Sequence, residues 1–322
     1  MGGWAGGEAA ARIAWLAYPE ATAIGPGVTV EDALGRALDH AARGEVSFPR
    51  DFQGFPGTVH GGAVAGLFYR ATTPQPPVRL RMDLLRGVPT ETPLRLITSS
   101  EGATARLALV QDERRLAEAE LTRSDLPALD PRPMLTAWQG RQGPEDQVPA
   151  TATCLACGSA NPLGLALRLR FDARFLWQEY APPAHYRAAD GSVHPMLATV
   201  ALDELGWWLG ALAQRECGVT VEVTVSVFRP LPFGPLLLLG DRAAVQPDED
   251  PRGRYLRARA CLFGHDRQLL AGADVRFAGS PAYTKRLLQP FLETTPPETL
   301  VRLFPTAGKL GGRARPDPAP PT

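Results

Sequence analysis

Two short stretches share one pattern and together decide the fold. Residues 57–62 read Gly-Thr-Val-His-Gly-Gly, and residues 191–196 read Gly-Ser-Val-His-Pro-Met. Each stretch opens an apolar run of helical length, which an alternating segment follows at 78–86 or 219–229. An arginine ends each alternating segment, and a proline stands three residues further on. The chain therefore contains an internal repeat of a helix followed by strands.

The repeat predicts an α+β protein in which each half wraps an antiparallel sheet around one long helix. The expected strands are 78–86, 94–100, 104–111 and 115–123 in the first copy, and 219–229, 235–245, 254–263 and 268–277 in the second. A strand is also expected before each helix, at 165–171 in the second copy and within 21–30 in the first.

Composition between and around the copies divides the chain into further segments. The segment between the copies is rich in Pro, Asp, Gly and Gln and is interpreted as a linker. The predicted divisions are an N-terminal extension with a helix at 31–42 (1–44), a first unit (45–125), the linker (126–149), a second unit (150–280), a C-terminal helix at 281–293 with its extension (281–310), and a tail (311–322). The tail lacks the apolar residues needed to order itself, so we expect it to be mobile.

The overall charge argues against several classes of function. Lys and Arg total 34, as do Asp and Glu, so the formal net charge is zero and no field favours nucleic acid. No stretch is expected to insert into a membrane, and a chain this long needs no disulfide scaffold from its four Cys. We expect a cytoplasmic protein.

Three motifs resemble the hotdog-fold acyl-CoA thioesterases, specifically the phenylacetate-type branch. They are Gln-Gly-Phe-Pro-Gly-Thr-Val-His-Gly-Gly at 53–62, Cys-Leu-Ala-Cys-Gly-Ser-Ala-Asn-Pro-Leu-Gly-Leu at 154–165, and Leu-Asp-Glu at 202–204. The resemblance covers roughly residues 50–125 and 150–280. It implies a tandem, or double, hotdog chain in which an internal pseudo-dimer replaces the family's usual homodimer.

The same resemblance implies the chemistry and the partners. The substrate would be an acyl-CoA or acyl-carrier thioester, and no cofactor is implied beyond the coenzyme A of the substrate. A homodimer of two double-hotdog chains is a further expectation.

Each copy departs from the family's catalytic pattern in a different place. In the resembling enzymes a carboxylate lies nine residues after the His on the same helix; the first copy has Tyr69 there and the second has Asp203. Conversely, the second copy has Pro195 and Met196 where the family has two glycines, and proline contributes no N–H. The site built from Tyr69, Pro195 and His194 would therefore be inactive.

One complete composite site is then expected between the copies. The resemblance and the unpaired N–H groups at a helix start imply that Gly61 and Gly62 donate to the oxyanion. His60 and Gln53 would orient the thioester or water, and Asp203 would act as nucleophile or general base.

Other residues leave alternatives open. Glu204 is the fallback for Asp203 and a candidate for substrate binding, since neighbouring helical positions point about 100° apart and at most one is expected to face a pocket. Tyr69 would line the inactive site. Arg86 and Arg229 are candidates for binding coenzyme A phosphates, although strand-end arginines also pair locally or cover apolar surface.

The spacing of Cys154 and Cys157 is typical of zinc or redox sites, but no second pair follows. Two packed thiols are therefore preferred, and no metal site is predicted.

Three functions remain. The first is an acyl-CoA thioesterase-like hydrolase with one composite site. The alternative is a non-catalytic protein that binds acyl thioesters or lipids, because each half has lost part of the machinery. A hotdog dehydratase or hydratase is a weaker third, suggested by His194-Pro-Met.

Overall fold

The computed structural model describes residues 28–38, 44–123, 130–250 and 253–309. The helices are α1 (Val30–Leu38), α2 (Gly61–Thr72), α3 (Arg132–Gln139), α4 (Met196–Gln214), α5 (Pro281–Leu287) and α6 (Pro297–Leu303). The strands are β1 (Glu45–Val46), β2 (Val78–Leu84), β3 (Leu94–Glu101), β4 (Thr104–Gln111), β5 (Arg114–Arg123), β6 (Asp146–Gln147), β7 (Arg170–Phe171), β8 (Phe175–Tyr180), β9 (Gly218–Val227), β10 (Leu236–Asp241), β11 (Gln246–Pro247), β12 (Tyr255–Phe263) and β13 (Leu269–Gly279).

One antiparallel sheet runs through both halves. Its order is β1-β3-β4-β5-β2-β9-β13-β12-β10-β8-β7-β6, and β11 pairs with β12 beside this path. β2 and β9 join the halves, with Val78 opposite Val227 and Asp83 opposite Glu222. Outward from this junction the strands β2, β5, β4 and β3 match β9, β13, β12 and β10 in order, as the internal repeat requires.

The two long helices cross antiparallel at the centre of the molecule. A Cβ added to Gly62 would lie 2.5 Å from the Thr199 carbonyl oxygen, and one added to Gly66 would lie 2.7 Å from the Met196 side chain. Thr199 Oγ1 also donates to the Gly62 carbonyl at 2.7 Å. Glycines on α2 therefore let α4 approach closely, and the start of α2 lies beside residues 199–203, in the N-terminal half of α4.

The eight predicted strands after the two helices are present, each with small shifts at its ends. Of the two predicted leading strands, the one at 165–171 is wrong except for its last two residues, and the one within 21–30 falls mostly outside the described part of the chain. In the second half this place is taken by β8 rather than 165–171, where only Arg170–Phe171 is a strand. In the first half β1 is the edge strand; of the predicted 21–30, residues 21–27 lie outside the described part of the chain, and Val30 already begins α1.

The segment predicted as a linker carries a helix that completes the fold. Leu135 and Trp138 of α3 are buried against Phe175, Trp177 and their neighbours, a second core cluster on the sheet.

Because β10 is buried along its length, its sequence reads as a continuous Leu run instead of alternating.

The ends of the chain differ in detail from the prediction. The N-terminal helix ends at Leu38 within the described residues, and the C-terminal helix is shorter than predicted, with α5 followed by a 3-10 turn at Gln289–Glu293. The predicted tail lies outside the described residues.

α4 is apolar and long enough to span a membrane by those two measures alone. Its most apolar window is 94% buried within the protein, which is the position of a core helix.

Candidate active site

A cavity of about 320 Å³ opens where α2 begins. At the start of α2 its wall carries His60, Gly61, Asp203 and Glu204. Aromatic and aliphatic side chains form much of the rest, with Arg, Thr and Cys side chains among them. The apolar lining includes Phe55, Leu84, Val88, Trp207, Trp208 and Phe291. A space of this kind, with few polar groups at one end, is typical of a small-molecule site.

Asp203 of α4 faces the start of α2. A Cβ added to Gly61 would lie 2.8 Å from Asp203 Oδ2, so the carboxylate is in contact with the first residue of that helix. The residues come from different halves of the chain, and the antiparallel crossing brings them together. Any side chain larger than hydrogen at residue 61 would fill the space between the helix start and the carboxylate.

Three groups hold the Asp203 carboxylate in place. Thr220 Oγ1 donates to Oδ1 at 2.7 Å, the Gly62 N–H donates to Oδ2 at 2.8 Å, and His60 Nδ1 lies 3.3 Å from Oδ2. Burial raises the pKa of Asp203, and the charge of His60 and the two hydrogen bonds only partly oppose this. A carboxylate with a raised pKa is better suited to accept a proton near neutral pH.

Gly62 therefore differs from its predicted use as an oxyanion donor. Its N–H donates to Asp203 and also lies 3.1 Å from His60 Nδ1, and its Cα packs against α4. Gly61, whose N–H is the first of the helix and has no acceptor within α2, lines the cavity.

His60 connects the two acids of α4. Its Nε2 lies 3.3 Å from Glu204 Oε2, while Nδ1 faces Asp203. Burial lowers the pKa of His60, but the Glu204 hydrogen bond and the Asp203 charge outweigh it and raise the pKa to about 9. The imidazole is therefore expected to carry a proton between two carboxylates.

Both adjacent acids line the cavity, so the expectation that at most one would do so is wrong. Their side chains diverge along the helix, but the five-membered ring of His60 reaches both through its two nitrogens. Trp208 Nε1 completes the arrangement by donating to Glu204 Oε1 at 3.1 Å.

A loop at the start of the second unit brings two thiols to the cavity. The Leu155 N–H donates to the Gln53 carbonyl, and Asn161 Nδ2 donates to the Asp51 carbonyl, so the loop docks beside the start of α2. Cys154 and Cys157 line the cavity as a result. The Ala156 N–H donates to Cys154 Sγ at 3.3 Å.

The remaining predicted residues are divided among three places. Gln53 accepts from the Gly57 N–H through Oε1, and it is absent from the described lining of the cavity, so it shapes the loop before α2. Arg86 lines this cavity, and its guanidinium donates to the Arg115 carbonyl. Arg229 lines a second cavity instead.

The second cavity, of about 250 Å³, lies at the start of α4. Tyr69, His194 and Pro195 line it together, as the repeat predicts. Burial raises the pKa of Tyr69 to about 12, so its hydroxyl stays protonated and is no substitute for a carboxylate.

Sequence reasoning did not identify Thr220, Trp208 or Cys154 as contributors to the wall of the cavity. Thr220 lies in β9, where a register irregularity against β13 falls beside it. Trp208 lies four residues after Glu204 on α4, a helical spacing that could have signalled its contact. No spacing signals the contributions of Thr220 and Cys154, because they reach the site from other elements through tertiary packing.

No family model matches the chain, and no curated protein matches it. Among solved structures, it is similar to a proposed thioesterase II from Thermobifida fusca (16% identity, TM-score 0.48, 73% of this chain and 91% of that one). It is also similar to a hotdog-fold protein from Alicyclobacillus acidocaldarius (15% identity, TM-score 0.46, 73% of this chain and 92% of that one). A third similar structure is a dehydratase domain from Mycobacterium tuberculosis, solved in complex with C12:1-CoA (18% identity, TM-score 0.46, 69% of this chain and 85% of that one). Hotdog proteins and thioesterases, which the sequence resembles, are thus among its structural relatives.

Proposed function

We propose that the chain is a tandem hotdog acyl-thioester hydrolase with one composite active site. The observation that carries the proposal is the contact between Asp203 of the second half and Gly61 at the helix start of the first. A carboxylate and the first residue of a helix, whose N–H has no partner within that helix, then line one cavity with a largely apolar wall. Acyl-CoA or an acyl-carrier thioester fits this chemistry, and coenzyme A enters only as part of the substrate.

In the proposed reaction the thioester carbonyl oxygen accepts from the Gly61 N–H. Asp203 takes a proton from water, and the hydroxyl attacks the carbonyl carbon. The tetrahedral oxyanion is stabilised by the helix start, and one such donor contributes about 2.7–4 kcal/mol in known hydrolases. The C–S bond then breaks, and the leaving thiolate takes a proton from the His60 imidazolium.

Charge at the cavity supports a phosphate-bearing substrate. Arg86 and Arg286 are exposed and belong to its lining. Guanidinium groups bind phosphate oxygens well, and these two would receive the coenzyme A portion while the acyl group enters the apolar part.

The test is turnover of a panel of acyl-CoA substrates with detection of the free thiol. Asp203→Asn keeps the side-chain size and removes the base, so we expect a loss of about 10²–10⁴-fold in kcat. Glu31→Gln is the matched control, because Glu31 faces His194 in the second cavity at 3.0 Å. Wild-type turnover by folded Asp203→Asn protein would reject the assignment.

One observation favours a second candidate, a dehydratase or hydratase. His60 and Asp203 form an adjacent acid–base pair in the cavity, whereas His194, on which the sequence-based suggestion rested, faces Glu31. Hydration of an enoyl-CoA, measured as the loss of its ultraviolet absorbance, distinguishes this activity from thiol release. Stoichiometric binding without either product would support the non-catalytic alternative.

A further inference from the structure

We propose that His60, Cys154 and Glu204 form a binding site for a thiophilic divalent cation of the Zn²⁺ type. A potential ligand atom from each residue lies within 4.8 Å of the other two, and all three residues are buried at the cavity wall. The proposal does not rest on hydrolase activity. A cation on Nε2 would replace the His60 proton that the proposed hydrolysis uses, so the metal-bound chain is a separate state, and the test reads metal binding alone.

The donor set fits zinc in kind, and one of its separations matches a tetrahedral ion. An imidazole nitrogen, a thiolate and a carboxylate oxygen are common zinc ligands, at about 2.0–2.3 Å from the ion. Two such ligands of a tetrahedral ion lie about 3.4 Å apart. His60 Nε2 and Glu204 Oε2 are separated by 3.3 Å, which matches this edge.

The neighbours of the three ligands orient them as metal ligands are usually oriented. A metal-bound histidine commonly donates its other ring N–H to a carboxylate, and His60 Nδ1 lies 3.3 Å from Asp203 Oδ2. Ligating carboxylates are themselves hydrogen-bonded, and Trp208 Nε1 donates to Glu204 Oε1 while Oε2 faces His60. Glu204 Oε2 and His60 Nε2 thus face each other, and a cation between them would replace the proton that they share.

Cys154 is prepared to act as the sulfur ligand. Its Sγ accepts from the Ala156 N–H at 3.3 Å, a bond that stabilises a thiolate. On binding the cation, the thiol would release its proton to solvent, and the Nε2 proton of His60 would leave likewise. Three protein ligands leave the fourth position of a tetrahedral ion to water or to a molecule in the cavity.

The experiment is a titration of Co²⁺, and then of Zn²⁺ in competition, into untagged full-length protein that has been chelator-treated and kept reduced. We expect the protein to bind one equivalent of Co²⁺, with a thiolate-to-metal charge-transfer band and the strong visible bands of a tetrahedral site. Zn²⁺ should displace the Co²⁺ and abolish all of these bands. Absence of the thiolate band in the folded wild-type chain would overturn the proposal, whatever the variants do.

Two conservative variants test the ligands separately. Cys154→Ser and Glu204→Gln should each weaken Zn²⁺ binding by at least about 10–100-fold, and Cys154→Ser should also abolish the charge-transfer band. Cys261→Ala and Glu31→Gln are the matched controls, since Cys261 lies in the second core cluster and Glu31 at the other cavity. Equal binding by wild type and folded Cys154→Ser, or equal loss in the Cys261→Ala control, would contradict the site. Circular dichroism establishes that each variant is folded.

Discussion

The starts of α2 and α4 use the same local design for different results. In each, a His stands at the helix start, and its Nδ1 lies close to the backbone N of the residue two further on, at 3.1 Å from Gly62 and 3.2 Å from Met196. In each, Nε2 faces a carboxylate, Glu204 in one case and Glu31 in the other. Those two acids are not related by the repeat, because Glu31 comes from α1, outside it.

A second acid makes the difference between the two sites. His60 also touches Asp203, whereas the position equivalent to Asp203 beside His194 is Tyr69. Burial lowers the pKa of His194, and the Glu31 hydrogen bond does not restore it. The comparison teaches that the His at the helix start is retained by both copies, while the carboxylate that gives a proton-transfer pair remains in only one.

Apart from the loss of Asp203 itself, we expect Gly61→Ala to have the largest effect on the difference in activity between the two sites. The new methyl group would meet Asp203 Oδ2 at 2.8 Å and Leu84 Cδ1 at 2.9 Å, which displaces the carboxylate or the substrate carbonyl. Misplacement by about 1 Å costs about 10²-fold in rate. The loss of activity is measured as acyl-CoA turnover, and the control is Pro195→Ala at the equivalent position of the second copy. Equal losses in both variants would remove the distinction between the sites.

Gly62→Ala should act on stability through the helix crossing. Its Cβ would lie 2.5 Å from backbone atoms of Thr199 and Val200, which cannot turn away as a side chain would. Overpacking of this kind costs about 1–3 kcal/mol of unfolding free energy. Urea denaturation measures the change. Gly35→Ala in α1 is the control, since its Cβ meets nothing within 4 Å and should be neutral or stabilising.

Thr220→Val should shift the acid limb of the pH–rate profile. The variant keeps the shape of the side chain but removes its hydrogen bond to the Asp203 carboxylate, so the pKa of Asp203 should rise further. A hydrogen bond to a charged group contributes about 1.5–3 kcal/mol, which corresponds to an upward shift of about 1–2 pH units. Thr224→Val, on the same strand, should leave the limb in place. A shift of the same size in both variants would argue against the named contact.

The smallest effect is the difference in titration between the two histidines. In chelator-treated protein, NMR should give a pKa of about 9 for His60 and a value below the ordinary 6.5 for His194. Protonated His60 stabilises the fold fully below pH about 6.5, and this contribution is lost as the pH rises towards 9. The pH dependence from His194 has the opposite sign, because burial favours its neutral form. Its contribution to the stability of the fold is therefore lost as the pH falls below about 6.5.

Asp203→Asn sharpens that measurement. It should lower the pKa of His60 and leave that of His194 unchanged, because only His60 contacts Asp203. An unchanged His60 titration would mean that Glu204 alone sets its charge.

Most of the sheet was predictable because the signals are local. The alternation of apolar residues indicated eight strands, and the paired His motifs indicated the two helix starts. The edges of the sheet were not predictable in the same way. β1 is two residues long and is defined by pairing with β3, and α3 is positioned by burial of Leu135 and Trp138 on the sheet, within a segment whose composition resembles a linker.

By itself, the sequence determined the duplication, the histidines at the helix starts and the uneven distribution of acids and glycines between the copies. These features are written in residue order, and the backbone responds to them locally. Only the tertiary structure decided that Asp203 and Glu204 both meet His60, that Thr220 fixes one of them, and that Cys154 lies beside the other. Such contacts depend on how closely α2 and α4 cross and where the Cys154 loop docks, and packing between distant segments sets both.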